Sequence, residues 1–370
     1  MERTSPPFRA DHIGSFIRPD GLIEARRQFN QGKLPADELH RLEDRAVRDI
    51  VALQEEIGFH SITDGEFRRV SYLTEFLNPL GVELQSGKSP DMVYHGEDGI
   101  VAPGTLAVVN RKIAWAGPIN VAAFIFLKSV TRQTPKVTIP APTQVHMFAA
   151  KDGISRAVYP DIAAFWDDMV AAYHAELRAL GEAGCRYVQI DETSMPKLAD
   201  PAIQEVVRKR GEDWRALLQT YADVMNRIIR GAPEGMTIAI HHCRGNNAGR
   251  WMATAGYDAV AEMLFAAIEA KSYLLEYDTP RAGDFAPLRF MPKDKVAILG
   301  LISTKSNAVE PADDLKRRID EAARYMPLDR LGLGPQCGFS CGFAGSDLTY
   351  DSQVQKMRRI VEVARDVWDA

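Results

Sequence analysis

The chain has 370 residues, 46% of them hydrophobic and 26% charged, with a formal net charge of -5. That length suits one large barrel or two medium domains, and the acidic balance argues against nucleic acid as a partner, because phosphate binding needs a basic excess. The opening "MERTSPPFRAD" lacks a secretory h-region and the longest apolar run, "INVAAFIFL", is too short to cross a bilayer, so a cytoplasmic protein without a membrane partner is expected.

Helices and strands alternate along the chain. Val47, Ile50, Val51 and Ile57 recur at helical spacing until Gly58, after which "FHSITDG" reads as a strand. Ile162, Phe165, Trp166, Met169, Tyr173, Leu177 and Leu180 form a second apolar face that leads through "EAG" into "CRYVQIDE". With 59–64 and 187–192, further strands are expected at 11–16, 136–142, 236–243, 272–278, 296–304 and 331–338, eight in all. Strands alternating with amphipathic helices predict a parallel sheet, and eight strands suit an α/β fold of the (β/α)8 TIM-barrel kind. Residues 80 to 135 carry turn residues and short strand-like pieces but no clear long helix, and read as hairpins inserted into the barrel. No linker divides the chain, so residues 1–370 are expected to form one barrel.

Polar residues collect where these strands end. Asp64, Gly65 and Glu66 follow the second strand; Asp191 and Glu192 close the fourth; His241, His242 and Cys243 close the fifth; Glu276 and Asp278 close the sixth; Cys337 closes the eighth. The C-terminal ends of barrel strands form one mouth, so these residues are expected to converge. His241 and Cys243, two apart on a strand, point to the same side, while His242 points away. With Cys337 and Glu276 they would give a borderline-soft metal such as Zn²⁺ a tetrahedral set. Taken singly, each has an ordinary explanation: buried cysteines as small hydrophobes, His241 as a hydrogen-bonded core residue, Glu276 as an ion-pair partner of Arg281. Four at one rim favour the metal. Cys185 lies before its strand, away from the mouth, and Cys341 reads as a small loop residue.

The motifs "DHIGSF" (11–16), "DGEFRR" (64–69), "VQIDE" (188–192), "HHCRGNN" (241–247), "LLEYDTPRAGDF" (274–285) and "LGPQCGF" (333–339) occur in this order. Together they resemble the catalytic half of cobalamin-independent methionine synthase, and most of all its short, single-barrel relatives. The resemblance implies a zinc ion on His241, Cys243, Glu276 and Cys337. It also implies that Ser15, Glu66 and Asp191 bind the amino-acid end of homocysteine. The ordinary alternatives for the two acids are a surface pair of Glu66 with Arg68 or Arg69, and a helix cap by Asp191. The implied activity moves a methyl group from a 5-methyltetrahydrofolate-type donor to the thiol, giving methionine.

One departure concerns the proton that a departing folate nitrogen needs. Where the long enzymes carry a histidine in an "HSP"-like segment, this chain reads "ISTKSN", Ile302 to Asn307. The donor therefore stays open to a corrinoid protein partner, and Asp278, His12 and His146 are the acids at hand. Self-association into a homo-oligomer is likewise open. An alternative relative is the zinc-dependent epoxyalkane:coenzyme M transferase, whose thiol carries a sulfonate. It would call for cations such as Arg18, Arg68 or Arg69 in place of the two acids. A closed structural zinc site and the porphyrinogen decarboxylase barrels fit the dispersed ligand set less well.

Overall fold

In this computed structural model, residues 3–96, 99–340, 342–343 and 347–369 are described. In chain order the strands are β1 (Ser61–Ile62), β2 (Glu83–Gln85), β3 (Val93–Gly96), β4 (Gly99–Pro103), β5 (Leu106–Val108), β6 (Thr134–Pro140), β7 (Tyr187–Asp191), β8 (Thr237–His242), β9 (Ser272–Glu276), β10 (Val296–Ile302) and β11 (Leu331–Pro335). β1 and β6 to β11 pair side by side in that order, all parallel. Their side chains are buried on both faces, as continuous apolar runs in a helix-covered parallel sheet should be. A large core lies between sheet and helices, and a small cluster of Ile13, Tyr187, Ala239, Leu274 and Ile298 fills the inside of the curl.

The helices end where local chemistry says they should. Ala36–Ile57 buries Val47, Ile50, Val51 and Ile57 and stops at Gly58, whose φ of 105° is open to glycine at little cost. Asp161 caps Ile162–Glu182 by accepting from the Ala163 N–H. That helix buries the expected face from Phe165 to Leu180, while Ile162 at its start is exposed.

Two expectations need correction. Residues 11–16 do not form a strand, so the sheet has seven strands where eight were expected. Only Ala10 makes a ladder bridge, to Leu333. Beyond it, Asp11 receives the Ser61 hydroxyl at 2.6 Å, and the Gly14 carbonyl receives the Thr63 hydroxyl at 2.6 Å. Gly14 adopts φ +127°, and a Cβ there would lie 2.7 Å from the Thr138 methyl. Side-chain bonds and a left-handed glycine replace the ladder, yet the segment still touches both edge strands, β1 and β11.

The second correction lies in the 80–135 region. It holds two antiparallel pairs, β2 with β5 and β3 with β4, but also a ten-residue helix, Val121–Val130. The run "VAAFIFLKSV" hides that helix because it is apolar all round; only Phe124 and Leu127 are buried. The β3–β4 hairpin reaches across the mouth, where His95 and Trp251 exchange backbone hydrogen bonds of 2.7 and 3.1 Å.

Candidate active site

The end of β8 and the turn after β11 bring three soft ligands together. His241 Nε2 or Nδ1, Cys243 Sγ and Cys337 Sγ lie within 4.8 Å of one another, all buried. The sulfurs are 4.0 Å apart, close to the roughly 3.8 Å that two Zn–S bonds of about 2.3 Å subtend in a tetrahedron. His241 Nδ1 lies 3.1 Å from the Leu274 carbonyl, and the buried Nε2 has no oxygen or nitrogen partner. Such a backbone carbonyl fixes the imidazole so that Nε2 would be the atom to meet a metal. The hydrogen bond from Cys337 holds the Cys243 thiol well below its usual range against the cost of burial, and His241 adds to that effect. Burial works to lower the His241 pKa, but the Cys243 thiolate outweighs it and the net direction is up. The donor set suits a divalent soft cation. His242 faces the other way, and its Nδ1 donates to the Glu192 carbonyl at 2.7 Å.

Glu276 does not join this group. Its Oε1 is 2.6 Å from Arg281 and 3.2 Å from Lys305, while Oε2 accepts the Arg244 backbone N–H at 2.7 Å. Burial alone would raise its pKa, but Lys305, then Arg244 and Arg281, hold it well below the usual carboxylate range. The expected fourth ligand is thus an ion-pair partner of Arg281 and of two further cations. Lys305, from the segment where a histidine was expected, turns to Glu276 and to Asp278 at 2.9 Å.

Ser15, Glu66 and Asp191 line one cavity with His241, Cys243 and Cys337. Glu66 sits at φ 59°, accepts the Thr138 hydroxyl at 2.7 Å and lies 3.6 Å from Arg69. Asp191 receives the Gln189 amide at 2.7 Å. Burial lifts the Asp191 pKa to about 7; His241 opposes the shift and Glu66 adds to it. The helix cap weighed as the alternative role of Asp191 is made by Glu192, which accepts from the Ser194 and Met195 N–H groups.

Three arginines weighed for a sulfonate are engaged outside the cavity lining. Arg18 donates to the carbonyls of Glu66, Arg69 and Gly342, Arg68 pairs with Glu43 and Asp44, and Arg69 donates to Thr138. Nor do His12, His146 and Asp278 line it: His12 meets the Ser61 carbonyl at 3.0 Å and His146 the Tyr221 hydroxyl at 2.9 Å. Cys185 is buried away from the site, its thiol pushed up by burial, and Cys341 lies outside the described residues. Tyr72, Tyr94, Thr193, Lys197 and Asn246 also line the cavity, and sequence reasoning missed them. Tyr94 belongs to the hairpin, which no pattern tied to the mouth. Thr193 and Lys197 carried a usable signal, since they follow an acid-terminated strand within two helical turns.

Residues 8–366 match the family described as cobalamin-independent synthase, catalytic domain, and the chain belongs to that family. The Bacillus subtilis protein YxjH, itself uncharacterized, is 38% identical over 98% of this chain and 95% of its own length. A 5-methyltetrahydropteroyltriglutamate–homocysteine methyltransferase from Thermotoga petrophila is 22% identical over 97% of this chain but 44% of its own length. Among solved structures, a putative vitamin-B12 independent methionine synthase from Listeria monocytogenes superposes with a TM-score of 0.77 at 33% identity, covering 99% of both chains. The family is of the methyltransferase kind, and the fold is shared with methionine synthase-like barrels. Among the described residues no helix is long and apolar enough to cross a membrane.

Proposed function

We propose that this chain is a single (β/α)8 catalytic barrel that transfers a methyl group to the thiol of homocysteine, giving methionine. The segment 10–16 would complete the barrel between β11 and β1. One observation carries the reading: a His–Cys–Cys cluster with metal-ligand spacing shares its cavity with two acids and a serine from three other parts of the chain. Zinc held by His241, Cys243 and Cys337 would keep an added thiol in its reactive thiolate form. Glu276 would support that site through the Arg244 backbone or join it after leaving its cations.

The chain's own groups then do the recognising. Glu66 and Asp191 accept from an ammonium, and Ser15 offers a hydroxyl to a carboxylate. The absence of Arg18, Arg68 and Arg69 from the cavity lining supports an amino-acid thiol over a sulfonate thiol. The methyl donor is of the 5-methyltetrahydrofolate type, with a methyl-corrinoid protein as the other source. Zinc-edge X-ray absorption with and without L-homocysteine tests the reading. One added sulfur in the zinc shell is expected; no zinc at all, or a gain only with a sulfonate thiol, would overturn it.

A further inference from the structure

Four lysines of the described chain are buried: Lys136, Lys197, Lys295 and Lys356. An ammonium carries three N–H donors, and a buried one is stable only when those donors are matched. Lys136 uses its three on Asp11, the His12 carbonyl and Gln189. Lys295 reaches the Phe265 and Ile268 carbonyls and the Tyr273 hydroxyl. Lys356 reaches the Ala308 carbonyl and both oxygens of Glu310. Lys197 makes one hydrogen bond, 3.1 Å to the Thr193 hydroxyl, and otherwise rests 4.9 Å above the Phe148 ring.

Its place explains the difference. Lys197 closes the short helix Ser194–Lys197 that follows β7, and its side chain lines the cavity that also holds Cys243, Cys337 and Asp191. No carboxylate lies within ion-pair distance among the described residues. Two donors are therefore unmatched in the wall of the site, which suits a ligand atom that gains negative charge or basicity there.

We infer that Lys197 is a catalytic residue that donates to the atom from which the methyl group departs, and that this atom is a basic nitrogen. The inference rests on the methyl-transfer reading above. The acceptor sulfur forms its bond to the methyl carbon as the carbon–nitrogen bond breaks. The electron pair of that bond stays on nitrogen, which takes a proton from Lys197 Nζ. The proton that the thiol releases on binding restores the balance, so thiol and N-methyl amine become thioether and amine. Burial lowers the Lys197 pKa to about 8, with Cys243, Glu192 and Cys337 opposing, and an amine in that range is charged yet transfers its proton readily near neutral pH. Lys305, from the segment where a histidine was expected, cannot serve in this way while it is held by Glu276 and Asp278. A corrinoid needs no such proton, because its metal keeps the pair.

The test compares leaving groups. Purified wild type, Lys197→Met and Lys197→Arg are assayed with homocysteine and three donors: 5-methyltetrahydrofolate, free methylcobalamin and methyl iodide. Zinc content and homocysteine binding serve as controls. Lys197→Met is expected to lose about 10²-fold or more with the folate, the usual reach of acid catalysis, and to change little with the other two. Lys197→Arg keeps the charge without an easily lost proton and is expected to stay slow with the folate. Equal slowing with every donor, no slowing with the folate, or full recovery in Lys197→Arg would overturn the inference. Wild type that transfers from methylcobalamin alone would overturn it while leaving methyl transfer standing. Wild type inactive with all three would overturn the functional reading beneath it.

Discussion

Two sets of buried charge sit one above the other inside the curled sheet, and they differ in satisfaction rather than in burial. In the lower set Asp11 accepts from Lys136 at 2.8 Å, Ser61 at 2.6 Å and the His12 N–H at 2.8 Å, and its other oxygen accepts from Tyr187 at 2.6 Å. Burial would raise the Asp11 pKa, but Lys136 and then His12 outweigh it and the carboxylate stays charged. In the upper set the His241 Nε2 has no oxygen or nitrogen partner, and Lys197 makes a single hydrogen bond, to Thr193. Gln189 joins the two, taking a bond from Lys136 at 3.2 Å and giving one to Asp191 at 2.7 Å. Tyr187, Gln189 and Asp191 alternate along one strand and so face the same side. A closed network holds the curled sheet together, whereas an open one marks where something else must bind.

Removing a soft ligand should have the largest effect. Cys243→Ser or Cys337→Ser is expected to cut zinc affinity by more than the roughly 10–100-fold typical of outer-shell changes, and to abolish methyl transfer. Metal analysis after chelator dialysis checks this, and full zinc in Cys243→Ser would remove the proposed site. Next comes the lower network. Lys136→Met leaves Asp11 buried without its cation and should cost about 3–5 kcal/mol in urea unfolding. The same substitution at Lys197 should leave the unfolding midpoint unchanged or higher, since it removes an unpaired buried amine; equal losses at both positions would erase the contrast drawn between them.

Asp191→Asn should weaken homocysteine binding by roughly 10–100-fold, the worth of about 1.5–3 kcal/mol for a charged hydrogen bond, while zinc content holds; calorimetric titration reads both. The smallest effect is on pH. His12 and His146 are buried neutral, with pKa values lowered by burial to about 3 and about 4 from 6.5. Below pH 6.5 the unfolded chain binds protons that the folded chain refuses, so stability falls as pH drops toward those values. Each histidine contributes up to about 1.4 kcal/mol per pH unit. Melting curves from pH 7 to 4 should show the decline, and His146→Gln should flatten it.

Much of this was legible in the chain because strands buried on both faces must be apolar runs, and seven of the eight such runs are strands. The polar residues that end those runs were legible for the same reason: a charge within a core strand needs a buried partner, as Lys136 has in Asp11, whereas at the strand's end it can face a cavity. His241, Cys243, Cys337, Glu66 and Asp191 meet accordingly, joined by Ser15, which the resemblance implied. Side-chain partnerships across distant segments were not legible. Nothing near Glu276 in sequence says that Lys305 as well as Arg281 will hold its carboxylate. Asp11 and Gly14 read as strand until Ser61, Thr63 and Thr138 stand beside them. Lys197 follows an acid-terminated strand, but only the packing that buries its stem and leaves two donors facing a cavity tells it from a surface lysine. Local pattern decides which residues are buried and at which end of a strand they stand, because burial follows periodicity; which buried charge is answered and which is left open depends on neighbours that only the closed tertiary structure brings within hydrogen-bond range.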